Sequence, residues 1–242
     1  MRGIVQVAGV RDLSEAEMLA GCGVDWIGLP LRLAYHRPDL DEAEAAALIR
    51  ALPPRVAPVL ITYLDRAEAI AAFAAALGVR RVQLHGPLAV AELTKLKRLA
   101  PRLWVMKSLI VGAANEDQLL HEVADFSPWV DAFITDTFDP ATGARGATGK
   151  THDWQASRRL TAASPRPVLL AGGLTPANVG RAVAAVKPAG VDAHSGLEDR
   201  FGRKDRALVA SFVTAAKAAL ARIEQQPIRP PRVGAPGSPR AN

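Results

Sequence analysis

At 242 residues, 49% hydrophobic and 22% charged, the chain can bury a full core as one large α/β domain or two small ones. Its single cysteine, Cys22, excludes a disulfide framework and a cysteine-based zinc cluster, and no apolar run approaches the ~20 residues of a membrane helix. The formal net charge is +6, but Arg229, Arg232 and Arg240 fall in a tail without acids, a weak nucleic-acid footprint.

The start, Gly3-Ile4-Val5, lacks a charged segment followed by a long apolar one, so no signal peptide is expected and the protein is placed in the cytoplasm. From there, short β-branched runs alternate with Ala-rich stretches of three-to-four-residue apolar spacing. In chain order the pattern predicts a strand over 3–8, a helix over 14–21, a strand over 26–30 and a helix over 40–52. A strand over 57–62, a helix over 66–77, a strand over 81–84 and a helix over 90–99 follow. The second half adds strands over 103–107, 132–135, 167–170 and 191–193, with helices over 116–125, 154–162, 176–186 and 204–223. Ser14 with Glu17, Asp41 before Glu42, and Thr175-Pro176 are the expected helix starts.

Eight strands and eight helices in strict alternation point to a single (β/α)₈ TIM barrel over residues 1–224. A doubly wound sheet uses the same alternation, but only one glycine follows the first strand, in Ala8-Gly9-Val10-Arg11. Residues 225–242, rich in Pro and Arg, are expected to be disordered.

A barrel places its chemistry where strands pass into βα loops. Asp136 ends the sixth strand and is the foremost candidate acid. Gly172 and Gly173 after the seventh strand, with Ser195 and Gly196 after the eighth, have the form of a phosphate cradle of backbone N–H groups. Arg37 after strand two is suited to clamping a carboxylate in bidentate fashion. His85 closes strand four. Lys107 ends strand five, where it could neutralise a phosphate or form a Schiff base.

Together these motifs resemble a known family. Val82-Gln83-Leu84-His85-Gly86, Asp136 with Gly146 through Trp154, Leu170-Ala171-Gly172-Gly173-Leu174, Asn178-Val179, and Ser195-Gly196-Leu197-Glu198 with Lys204-Asp205 look like phosphoribosylanthranilate isomerase, over about residues 3 to 218. The resemblance implies a cytoplasmic tryptophan-pathway barrel that needs neither metal nor organic cofactor and is a monomer or homodimer. Its partner is a small phosphorylated substrate, with no nucleic acid and no membrane involved. It implies an Amadori rearrangement: an acid protonates the ribose ring oxygen to give a Schiff base, and a base removes the C2 proton. Asp136 matches the family's acid, Arg37 its anthranilate-holding arginine, and Gly172, Gly173, Ser195 and Gly196 its phosphate loops.

The base does not match. Where the family pattern reads Lys-x-Cys-Gly on strand one, this chain has Gln6-Val7-Ala8-Gly9, and a methyl group accepts no proton. His36 before Arg37 and His194 beside Ser195 are further departures, so the chain gains imidazoles as it loses a thiol. The expectation is an isomerase or lyase on a phosphorylated sugar derivative, its reaction diverged from the Amadori rearrangement, with His36, His85 or His194 joining Asp136 in proton transfer. A variant puts a divalent metal among these histidines. The alternatives are a tryptophan-pathway isomerase with a substitute base and a catalytically silent phosphosugar binder.

Overall fold

A computed structural model describes residues 2–34, 38–112, 115–139, 144–145 and 153–225. The expected disordered tail, Gln225 apart, lies outside them, as do His36 and Arg37. Eight strands form the barrel: β1 Ile4–Ala8, β2 Trp26–Pro30, β3 Ala57–Thr62, β4 Arg81–Leu84, β5 Trp104–Val111, β6 Ala132–Asp139, β7 Val168–Leu170 and β8 Gly190–Ala193. The helices are α1 Leu13–Gly21, α2 Glu42–Ala51, α3 Ala67–Leu77, α4 Val90–Leu99, α5 Glu116–Phe126, α6 Trp154–Ala163, α7 Val179–Val186 and α8 Arg206–Glu224. Each strand pairs in parallel with the next, and β8 closes on β1 through Ile4↔Gly190, Val5↔Val191 and Gln6↔Asp192. A two-residue strand, Ala144–Arg145, pairs antiparallel with the end of β6.

Strand alternation sorts the side chains into two cores. Outward residues such as Val5, Val7, Val82, Leu84, Val105 and Leu109 join the main core with the helices. Inward residues Trp26, Val59, Met106, Ala132, Ile134 and Leu169 form a separate plug inside the barrel, with Trp26 and Trp104 edge to face at 5.1 Å. The plug is apolar, and the inward positions above it are polar: Gln6, Gln83, Ser108, Asp136 and Asp192 are all buried. That change of chemistry along one axis gives the barrel a sealed end and a reactive end.

Strands β5 and β6 run further than the sequence reading places them. Their ladder continues through Leu109↔Thr135, Ile110↔Asp136 and Val111↔Thr137, because Leu109-Ile110-Val111 extend the apolar run past Lys107. Asp136 and Lys107 therefore stand within strands rather than at their ends.

Two helix starts also move. Asp12, not Ser14, caps α1, its Oδ1 accepting from the Glu15 N–H at 2.8 Å. α7 begins at Val179, beyond Pro176, because Asn178 captures the loop: its Oδ1 accepts from the Thr175 N–H at 2.8 Å and its Nδ2 donates to the Gly173 carbonyl at 2.9 Å. At α2 the expected start holds, with a full capping box between Asp41 and Glu44.

Candidate active site

A cavity of about 320 Å³ opens at the C-terminal end of the strands. Its wall includes Ala8, His85, Asp136, Asp192 and His194, and its rim the two loops Ala171 to Leu174 and Ser195-Gly196. That volume falls at the lower end of the roughly 300–1,000 Å³ typical of small-molecule sites. Of the sequence-derived candidates, Asp136, His85, His194, Gly172, Gly173, Ser195 and Gly196 thus meet around one space.

Asp136 has the inward parity of Ala132 and Ile134, so it rises directly above the apolar plug. It is 9% exposed, and its Oδ1 accepts from the Thr137 N–H at 2.7 Å. The glycine loops are shaped by backbone. Gly172 and Gly173 take φ values of 94° and 59°, which side-chain-bearing residues rarely adopt. A Cβ on Gly196 would overlap the Leu174 carbonyl oxygen, so only glycine lets the β8 loop press onto the β7 loop. The two halves of the cradle are in contact through these residues.

His85 is anchored from behind. Its Nδ1 lies 3.0 Å from Ser108 Oγ, which also accepts from Gln83 Nε2 at 3.3 Å. Gln83 Oε1 in turn accepts from Gln6 Nε2 at 3.0 Å, so a buried polar chain crosses the barrel from β1 to β4 and β5. Ser108 Oγ thus holds the His85 ring at Nδ1, whichever ring nitrogen carries the proton. The Tyr63 ring lies against the imidazole, 5.0 Å between centroids.

His194 sits one inward position above Asp192. Its imidazole fills the space where a Cβ on Gly9 would stand, beside Ala8. Its Nε2 lies 3.4 Å from Glu198 Oε1, which also takes the Lys204 ammonium at 2.6 Å. Burial draws the Lys204 pKa down, against the pull of Glu198. Burial likewise pushes up the pKa of Asp39, which shares the cavity wall.

Lys107 does not join this group. It shares the parity of Val105 and Leu109, is 4% exposed, and donates from Nζ to the Ser108 carbonyl at 2.8 Å. It lines a neighbouring cavity with Asn115, Gln118 and Glu122 beside α5. Among the described residues, no group of three or more His, Cys, Asp or Glu is placed to hold a metal ion.

The sequence reading passed over Asp192. It points inward from β8, is 8% exposed, and its Oδ1 is sealed from solvent without a hydrogen-bond partner. Burial and the charge of Asp136 push its pKa up to about 7, with the Gln6 amide and Lys204 drawing the other way. The signal was a lone acid within the apolar strand Gly190-Val191-Asp192-Ala193.

A family model described as N-(5'phosphoribosyl)anthranilate (PRA) isomerase matches residues 39–215. N-(5'-phosphoribosyl)anthranilate isomerase 2 of Methanosarcina mazei is 41% identical over 215 residues, covering 88% of this chain and 93% of that protein.

This chain belongs to the phosphoribosylanthranilate isomerase family.

The isomerase from Thermotoga maritima superposes with a TM-score of 0.75 at 26% identity, covering 89% of this chain and 98% of that one. A phosphoribosylanthranilate isomerase solved in complex with reduced 1-(o-carboxyphenylamino)-1-deoxyribulose 5-phosphate superposes with a TM-score of 0.73 at 25% identity, with the same coverage. The family's barrel and isomerase class therefore apply here. Among the described residues no helix is long and apolar enough to cross a membrane. In this member of the phosphoribosylanthranilate isomerase family the methyl group of Ala8 stands on the cavity wall.

Proposed function

We propose that this chain isomerises N-(5'-phosphoribosyl)anthranilate to the 1-deoxyribulose phosphate in tryptophan biosynthesis. One observation carries the reading: a single cavity joins Asp136 to both glycine loops, in a chain 41% identical to an isomerase of that name. The phosphate is received by backbone N–H groups of Gly172, Gly173, Ser195 and Gly196, where glycine permits close approach. Asp136, buried above an apolar floor, gives its proton to the ribose ring oxygen. Arg37, outside the described residues, is assigned to the anthranilate carboxylate. The identity spans 88% of the chain, which supports the family reaction over the diverged one that Ala8 suggests. It requires only that another group accept the C2 proton.

The test is a single-turnover assay with freshly made phosphoribosylanthranilate, following loss of substrate fluorescence. Turnover is expected, with a fall of roughly 10²–10⁴-fold in Asp136→Asn. No turnover, with phosphate-dependent ligand binding intact, would leave a silent binder or a diverged enzyme instead.

A further inference from the structure

We propose that Asp192 is the group that takes the C2 proton, acting from β8 where this chain has no thiol on β1; the proposal rests on the isomerase reading above. Strands β8 and β1 are neighbours, with Gln6 paired to Asp192. Ala8 is the next inward residue above Gln6, about 4.8 Å across from β8. Asp192 thus lies one strand over and one pleat below Ala8, under the volume that a methyl group does not fill, and both line the cavity with Asp136.

The surroundings of Asp192 make it a strong base for a carboxylate. Its Oδ1 and the Oε1 of Gln6 are both buried acceptors without a donor. A proton on Asp192 removes a buried charge whose Oδ1 has no donor, whereas ionisation leaves that charge out of water, only partly offset by the Gln6 amide. Asp136 from β6 adds like charge whenever it is ionised and none while it holds the proton it donates, so burial is the standing cause, and Lys204, before α8, opposes it. Proton affinity raised in this way brings a carboxyl group to half-ionisation near neutral pH, where a general base is most effective. The two histidines are engaged otherwise: His85 Nδ1 meets Ser108, and His194 Nε2 faces the Glu198 carboxylate.

The proton balance closes with these two acids. Asp136 protonates the ring oxygen, which leaves C1 as the hydroxyl on C4, and a C1=N iminium forms. An Asp192 oxygen bonds the C2 hydrogen; the C2–H pair becomes C1=C2, and the C1=N pair moves to nitrogen. Asp192 then returns its proton to C1 while the enol O–H proton passes to Asp136 and its pair forms C2=O. Both carboxyl groups end as they began.

The experiment measures kcat and KM against pH for the full-length chain with freshly made phosphoribosylanthranilate, in wild type, Asp192→Asn, Asp192→Asn with Ala8→Cys, and Gln6→Lys. Asp192→Asn is expected to lower kcat by roughly 10²–10⁴-fold at nearly unchanged KM. Adding Ala8→Cys is expected to recover at least tenfold, by restoring a thiol on β1. Gln6→Lys places a cation beside the base and is expected to move the acid limb of the profile to lower pH. An active wild type whose Asp192→Asn form keeps kcat within a few-fold overturns the proposal and leaves the isomerase reading standing. Loss in Asp192→Asn without rescue, and with an unmoved limb in Gln6→Lys, assigns a structural role and also overturns it; a moved limb supports it. A wild type without turnover removes the isomerase reading itself, and this proposal with it.

Discussion

If Asp192 is held neutral by its surroundings, replacing it with asparagine stabilises the fold at alkaline pH. The folded-state pKa rises from 3.8 to about 7, so the unfolded chain ionises first. Below the unfolded value both states are neutral and nothing is lost; between the two values stability falls as pH rises; above about 7 both states are ionised and the loss is complete. At about 1.4 kcal/mol per pH unit the loss is on the order of 4 kcal/mol, an upper bound because the site relaxes. The substituted asparagine carries no such charge, and its amide adds a donor where the ionised carboxylate has none. Urea denaturation at pH 4.5 and pH 8.5 measures the difference. Wild type and variant are expected to be similar at the lower pH, and the variant more stable by a few kcal/mol at the higher one. A variant that is less stable at pH 8.5 would mean that Asp192 is ionised and well compensated, and the argument from its orphaned oxygen fails. A substitution that stabilises the chain while stopping the reaction is the pattern expected of a strained catalytic group.

Two further predictions concern the frame around the reacting groups. Gly196→Ala puts a methyl group into the Leu174 carbonyl and prises the two loops apart; if they receive the phosphate as proposed, inorganic phosphate should bind at least tenfold more weakly by calorimetric titration, with kcat/KM falling in step. Ser108→Ala removes the link between Gln83 and His85, leaving both polar groups short of a buried partner. A loss of about 1–3 kcal/mol in chemical denaturation is expected.

The fold was legible because the alternation of strand and helix is written into hydrophobic spacing, and eight repeats of it leave few architectures. What the spacing could not show is where a ladder stops. β5 and β6 continue together through Val111↔Thr137 because each supplies the other's hydrogen bonds, a fact of pairing rather than of either run. The helix starts went astray for a related reason: Ser14 and Pro176 are good local signals, but Asp12 and Asn178 reach the free N–H groups first.

The site divides in the same way. Asp136 and the glycine loops, which line the cavity, stand in motifs at the C-terminal ends of strands and could be singled out from sequence. Asp192 was passed over because a lone acid in an apolar strand does not say what packs around it. Its character comes from burial, from Asp136 two strands away, and from Gln6 on the neighbouring strand drawing the other way. Lys107 shows the converse: at the right height on β5 by sequence, it is turned by the two-residue period to the outer side of the wall, and its ammonium serves the Ser108 carbonyl there. Position along a strand sets the height of a side chain at the mouth of a barrel, and parity sets its side. Its proton affinity belongs to residues that only closure brings near, and in this barrel the closing pair is β8 with β1, the strand that carries Gln6 and Ala8.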